Sequence, residues 1–162
     1  MSQDKQQLAS ELSSILELER SHLSTLLELL EQERVQILND PEVLTAIASE
    51  KHKQVKLLEQ LSAQHNNLLQ QAGFTVDHSG MQDCIEWCGS PKELDEQWTI
   101  LLSGIADCQE QNLKNGVLVE LGRNRLSQLA EIFQGEDKQT STYDQAGKND
   151  NGQIPGSVSI KA

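Results

Sequence analysis

The stretch from Pro91 to Phe133 reads as one uninterrupted helix, and a helix that long must find cover for its apolar face. Leu94, Trp98, Leu101 and Ile105 recur in steps of four and three, the spacing that places side chains on one helical face. The same register lands on Cys108, Asn112 and Asn115 before returning to Val119, with Leu118 and Leu121 beside it. After Gly122 it resumes as Leu126, Leu129 and Phe133. Two asparagines and two glycines, Gly116 and Gly122, therefore interrupt an otherwise apolar seam. A buried amide must find partners or cost about 1–3 kcal/mol. Two readings stay open. These residues either fix register and let helices approach closely, as a polar residue does at a coiled-coil seam, or they recognise another molecule.

Two further helices precede this one. Leu12, Leu16, Leu23, Leu26, Leu30 and Ile37 keep the four–three alternation, with Glu19 and Glu33 breaking it. Leu8, Ile15, Leu27 and Leu38 widen the stripe beyond a two-stranded seam, so the helix touches more than one neighbour. Neither Gly nor Pro occurs before Pro41, and the pattern predicts a helix over 8–38, roughly 46 Å at ~1.5 Å per residue. Asn39-Asp40-Pro41 is a stop and restart: Asp40 suits an N-cap, Pro41 the first helical position and Glu42 the first turn. The second helix, predicted over 41–72, carries Leu44, Ile47, Leu58, Leu61, Leu68 and Ala72, with Lys51, Gln54 and His65 as polar members of the seam. Gly73 then stands where a C′ glycine belongs. So short a turn between two long helices implies an antiparallel hairpin.

The connector, 73–90, holds a short helix expected from Met81 to Cys88, with Cys84, Ile85 and Cys88 on one face as a lid on the hairpin. Ser90-Pro91-Lys92-Glu93 has the form of a capping box, and the third long helix is predicted over 91–133. The expected fold is all-α: an elongated antiparallel bundle of three long, coiled-coil-like helices, with the connector helix, over a domain of residues 1–134. From Gly135 the composition turns to Gly, Ser, Thr, Asn, Asp, Gln and Lys. Residues 135–162 are therefore expected to be a disordered, flexible tail, unable to bury enough surface to offset ordering entropy. It contains Tyr143, the one tyrosine of the chain.

The formal net charge of −12 and pI near 4.6 argue against nucleic acid and against an anionic membrane surface. No apolar run approaches the ~18–20 residues of a membrane span, so no membrane insertion is expected. Met1-Ser-Gln-Asp-Lys lacks a signal-peptide apolar region, and three cysteines, an odd number, fit reduced thiols in the cytoplasm. There is no phosphate-binding glycine loop and no local nucleophile–base spacing. Cys84, Cys88 and Cys108 with His78 match no recognised zinc pattern. The sequence thus points to no enzyme, no cofactor and no metal, and to an acidic helical protein that binds other proteins.

Several segments together resemble the FlgN family of flagellar export chaperones, over about Leu8 to Gly147. They are the Leu/Glu-rich first helix, then Asp40-Pro41-Glu42 leading to Leu44, Ile47 and Lys51, and Leu68-Leu69-Gln70-Gln71-Ala72-Gly73-Phe74 closing the second helix. Asn112-x-x-Asn115-Gly116-x-Leu118-Val119 follows in the third, and then a tail with Thr142-Tyr143-Asp144 and Gly147. The resemblance implies a cytoplasmic chaperone of type III flagellar secretion. It would hold a C-terminal helical segment of hook-associated proteins, prevent premature assembly and deliver them to the export apparatus. It also implies client binding in the C-terminal part of the molecule and docking of Tyr143 at the flagellar export gate. The competing class is a structural, spectrin-like spacer with no client.

Helix lengths add a location. A third helix starting level with Ala72 and running back along the second reaches the level of Pro41 near Gly122. Residues 123–133 would then overhang by roughly 16 Å at ~1.5 Å per residue. The candidate partner surface is Asn112, Asn115, Gly116, Leu118 and Val119, continuing into Leu126, Leu129, Ile132 and Phe133. Self-association is the other use of such an apolar surface.

Overall fold

The computed structural model describes residues 2–141, apart from the side chains of 125, 126, 129 and 133–141. Four helices follow in order: α1 (Ser2–Gln36), α2 (Pro41–Gln71), α3 (His78–Trp87) and α4 (Lys92–Ser141). No strand occurs among the described residues, and the long helices α1, α2 and α4 pack together as the expected all-α bundle. The chain divides into two units, Met1–Arg123 and Asn124–Ala162. The first holds α1, α2, α3 and α4 as far as Arg123; in the second, residues 124–141 are the helical continuation of α4.

Local chemistry explains the boundaries. Asp40 is extended (φ −137°), and its carboxylate accepts from the N–H groups of Glu42 and Val43, with Pro41 opening α2. At the other end of α2, Gly73 takes φ 86°, Phe74 N–H donates to Leu69 O at 2.9 Å, and Gly73 N–H donates to Gln70 O at 3.0 Å. That is the paired C-terminal motif a left-handed glycine permits. Gly89 (φ 93°) repeats it after α3, where Ser90 N–H reaches Ile85 O.

This second motif overturns the capping box expected at Ser90 and Glu93. Ser90 is drawn into the left-handed region (φ 51°) by the α3 terminus, outside the extended range a cap requires. The first bond of α4 runs instead from Asp95 N–H to Pro91 O at 3.1 Å, so Pro91 holds the cap position. The C-terminal limit of the last helix also differs: α4 runs through Gly135 to Ser141 rather than stopping at 133. One glycine costs about 1 kcal/mol relative to alanine and does not by itself end a helix. The tail expected beyond that point, including Tyr143, lies from 142 onward outside the described residues.

The core is aliphatic. Leu12, Leu16, Leu23 and Leu30 of α1 meet Leu69 of α2 and Leu94, Leu101 and Cys108 of α4. Helix α3 closes one end with Met81, Cys84 and Ile85, all buried, while Cys88 is half-buried. Its entry is fixed by Asp77, whose carboxylate accepts from Gly80 N–H at 2.7 Å and from the Thr75 hydroxyl at 2.9 Å. The Gly80 amide and the Thr75 hydroxyl hold the Asp77 carboxyl below its ordinary range. A carboxyl depressed in the folded state adds stability above its unfolded pKa, and loses it as pH falls through the folded value. The α3 cap therefore weakens on the acid side.

A Cβ at Gly80 would collide with the Thr75 backbone oxygen and hydroxyl. Gly80→Ala is expected to destabilise the chain by about 1–3 kcal/mol through overpacking, measured by urea denaturation. Unchanged stability would mean that the Thr75–Asp77 turn yields freely.

Candidate functional site

Helix α4 carries the candidate site, and its placement depends on polar bonds to α1. Ser13 Oγ donates to Gln97 Oε1 at 2.8 Å, Cys108 Sγ to Leu23 O at 3.6 Å, and Asn115 Nδ2 to Leu30 O at 2.8 Å and Glu33 Oε2 at 2.7 Å. The separations are 84, 85, 85 and 82 residues. So constant an offset means that α4 runs parallel to α1 in fixed register, and antiparallel to α2. Glycines sit where leucines of α1 and of the turn after it press closest. A Cβ on Gly104 would lie 2.8 Å from Leu23 Cδ2, and one on Gly122 would lie 2.9 Å from Leu38 Cδ2. Gly122 is thus level with the α1–α2 turn, as the helix lengths predicted.

Helix α2 is pinned by a second set of contacts. Lys51 Nζ donates to both Glu33 carboxylate oxygens at 2.9 Å, His22 Nδ1 lies 2.8 Å from Gln54 Oε1, and His65 Nδ1 lies 3.4 Å from Glu19 Oε2. The Trp98 indole packs edge-on against His65, and His78 stacks on the same indole at 6.0 Å between centroids. The polar seam residues of α1 and α2 therefore pair with one another. Asn115 joins the same system. Its amide bridges α1, its carbonyl accepts from Gln111 Nε2 at 3.1 Å, and Glu33 links it to Lys51. For Asn115 the register role is visible, with its amide fully engaged inside the bundle.

The buried row of α4 is Leu94, Leu101, Cys108, Asn115 and Gly122, every seventh residue. Between them Gln97, Gly104, Gln111 and Leu118 face partly inward, whereas Ile105, Asn112 and Val119 are exposed. The expected seam positions Leu94, Leu101, Cys108 and Asn115 are thus the buried row, and past Trp98 only the intervening positions move by one residue, from Ile105, Asn112 and Val119 to Gly104, Gln111 and Leu118. Ile105 and Val119 are the more apolar choices, while Gly104 and Gln111 occupy two of the inner positions. Of the other candidate residues, Gly116 is exposed, with nothing within 4 Å of an added Cβ, Leu118 is half-buried and Ile132 is exposed. Leu126, Leu129 and Phe133 are helical, and their side chains lie outside the description. In helical register they continue the row that passes through Asn115 and Gly122.

On the opposite face of α4, Leu113, Val117 and Leu121 are 70%, 55% and 53% exposed. Sequence reasoning did not single out Leu113 and Val117, although their four-residue spacing was a readable signal.

Burial pushes the Cys84 thiol up to about 12 and raises Cys88 and Cys108 as well, so all three stay protonated. No group of three or more His, Cys, Asp or Glu suited to a metal occurs among the described residues. A cleft of about 560 Å³ between the start of α1 and residues 88–94 is lined by small and polar side chains of α1, among them Ser10, Ser13 and Ser14, and by Cys88, Pro91 and Glu93. No helix among the described residues is long and apolar enough to cross a membrane.

The described residues thus define an all-helical bundle with an exposed apolar line on its last long helix. The family model described as FlgN protein matches residues 1–151, and the chain belongs to the FlgN family, flagellar export chaperones that are not enzymes. No curated protein and no solved structure matches it.

Replacing Asn115 by Ala removes two bonds to α1 and leaves Leu30 O without its partner. The expected loss is about 1–3 kcal/mol, measured by denaturant unfolding. An unchanged midpoint would show that α4 does not depend on Asn115 for its register.

Proposed function

We propose that this chaperone takes as client the C-terminal helical segment of hook-associated proteins, the components at the hook–filament junction. It holds them in the cytoplasm, stops them assembling early and brings them to the export apparatus. The observation that carries the reading is the row on α4. It is buried against α1 as far as Asn115, meets Leu38 at Gly122, and then continues in the same register as Leu126, Leu129 and Phe133. An amphipathic client helix binds by laying its apolar face along such a row. Leu118, half-buried, and Ile132, exposed, extend the surface; Gly116, Val119 and Asn112 border it. Asn115 contributes by holding the row in place.

Two further features support the reading. A net charge of −12 keeps the chaperone apart from nucleic acid and in solution at high client load. The spacer alternative gives way to the family membership, since FlgN proteins are chaperones. Tyr143 is proposed as the residue that docks at the export gate, on the resemblance and on its being the one tyrosine in the chain.

Leu129→Asp combined with Phe133→Asp is expected to weaken binding of a hook-associated C-terminal peptide at least about 100-fold, from the loss of roughly 1.5–3 kcal/mol per buried side chain. Melting should barely move. Unfolding of the double variant would place these residues in a core instead. Tyr143→Ala is expected to lower secretion of hook-associated proteins while leaving both peptide affinity and melting temperature unchanged. Wild-type secretion would remove the docking role.

A further inference from the structure

Asn115 and Gly116 are neighbours in opposite surroundings. The asparagine is 3% exposed, while the glycine is exposed and an added Cβ there would meet nothing within 4 Å. An asparagine followed by glycine is chemically the least durable amide pair in a chain. No side chain hinders the glycine nitrogen, and its backbone adopts the angles that a ring closure needs. In that closure the Gly116 nitrogen bonds to Asn115 Cγ and the Cγ–Nδ2 bond breaks. The nitrogen's proton ends on Nδ2, which departs as ammonia. The five-membered imide then takes up one water and opens to aspartate or, through its other carbonyl, to isoaspartate.

The packed bundle opposes this reaction. Asn115 Nδ2 donates to Leu30 O at 2.8 Å and to Glu33 Oε2 at 2.7 Å, and Oδ1 accepts from Gln111 Nε2 at 3.1 Å, so the amide is held away from the backbone behind it. Both residues lie within α4, where a backbone N–H points along the axis to the carbonyl one turn back. We infer that Asn115–Gly116 is a deamidation site that the packing of α4 on α1 holds closed, and that it reacts when this part of α4 lifts off and unwinds. A mid-helix glycine makes that unwinding easier than alanine would. The change is one-way. A carboxylate at 115 has no N–H to offer Leu30 O. It would also stand against the Glu33 carboxylate, both of whose oxygens already accept from Lys51. Isoaspartate lengthens the backbone as well and breaks the helical repeat. A chain that has reacted therefore does not recover the register of α4, and each opening of the helix counts against the working life of the chaperone. The inference needs only the Asn115 contacts and stands whether or not the client binds on α4.

The test compares the full chain folded and in concentrated urea, at one mildly alkaline pH, with deamidation at each asparagine read by peptide mass spectrometry. The second Asn–Gly pair of the chain, Asn151–Gly152, lies outside the described residues and serves as the chemical standard in urea. In urea the two pairs should react at similar rates. On folding, reaction at Asn115 should slow at least about tenfold. Leu101→Ala, which loosens α4 without touching the Asn115 bonds, should speed the reaction in the folded chain and leave the rate in urea unchanged. The wild-type comparison stands whether or not that variant folds. Asn115→Asp should melt below Asn115→Ala. An equal rate at Asn115 folded and in urea overturns the protection, and a slow rate in urea beside a fast Asn151 overturns the site itself. A folded Leu101→Ala chain that reacts no faster overturns the gating by α4. An Asn115→Asp chain that melts with the wild type overturns the one-way character.

Discussion

The bond from Asn115 to Leu30 O is the contact on which the placement of α4 depends. Leucine rows alone fix a helix poorly along its axis, because a shift by one turn exchanges one leucine for another. A buried amide does not tolerate that shift, since it would lose its partners and keep its desolvation cost. Asn115 sits 3% exposed, with Glu33 and Gln111 completing its bonding. Cys108 on Leu23 O and Ser13 on Gln97 repeat the constraint nearer the lid. Gly104 and Gly122 provide the space for Leu23 and Leu38 that this register demands.

A shared polar network extends the constraint to α2. Lys51 and Asn115 meet on the Glu33 carboxylate, so one acidic group of α1 holds both neighbours. Farther along, Glu19–His65 and His22–Gln54 fix the hairpin independently. Sequence periodicity identified Glu19, Glu33, Lys51, Gln54 and His65 as polar members of the seams. It did not identify their pairs, because period alone gives a residue's face and not the height of its neighbour on another helix. The Asp40 cap and the Gly73 terminus were readable because each depends on residues within one turn. The Ser90 cap was misread for the same reason: the residue serves the preceding helix, and a motif window centred on Pro91 does not contain the α3 terminus. On α4 the row of Leu94, Leu101, Cys108 and Asn115 was read in place, and the intervening positions were read one residue off because Gly104 and Gln111 lie inward and neither advertises burial by its chemistry.

The candidate surface was legible only in part. The row through Leu126, Leu129 and Phe133 follows from counting along one helix, and Gly122 against Leu38 gives that count a fixed origin. The outer line of Leu113, Val117 and Leu121 was passed over because the inner seam was taken as the organising face. The inner row is held against α1 as far as Asn115 and supports the proposed client contact where it continues. On the other side of the helix Leu113, Val117 and Leu121 stand exposed. Family membership supplies the general activity, chaperoning of flagellar export, and the row on α4 supplies the proposed place for it.

Amide hydrogen exchange, with and without a hook-associated C-terminal peptide, tests most directly where the client is held. In the free chain, amides of α4 from Leu94 to Asn115 should exchange slowly, protected by the packed row and the Asn115 bonds. Peptide binding should slow exchange over residues 124–133 by at least about tenfold while leaving 94–115 unchanged. Protection that appears on α1 and α2, with 124–133 unaffected, would contradict a client site on the continuation of α4.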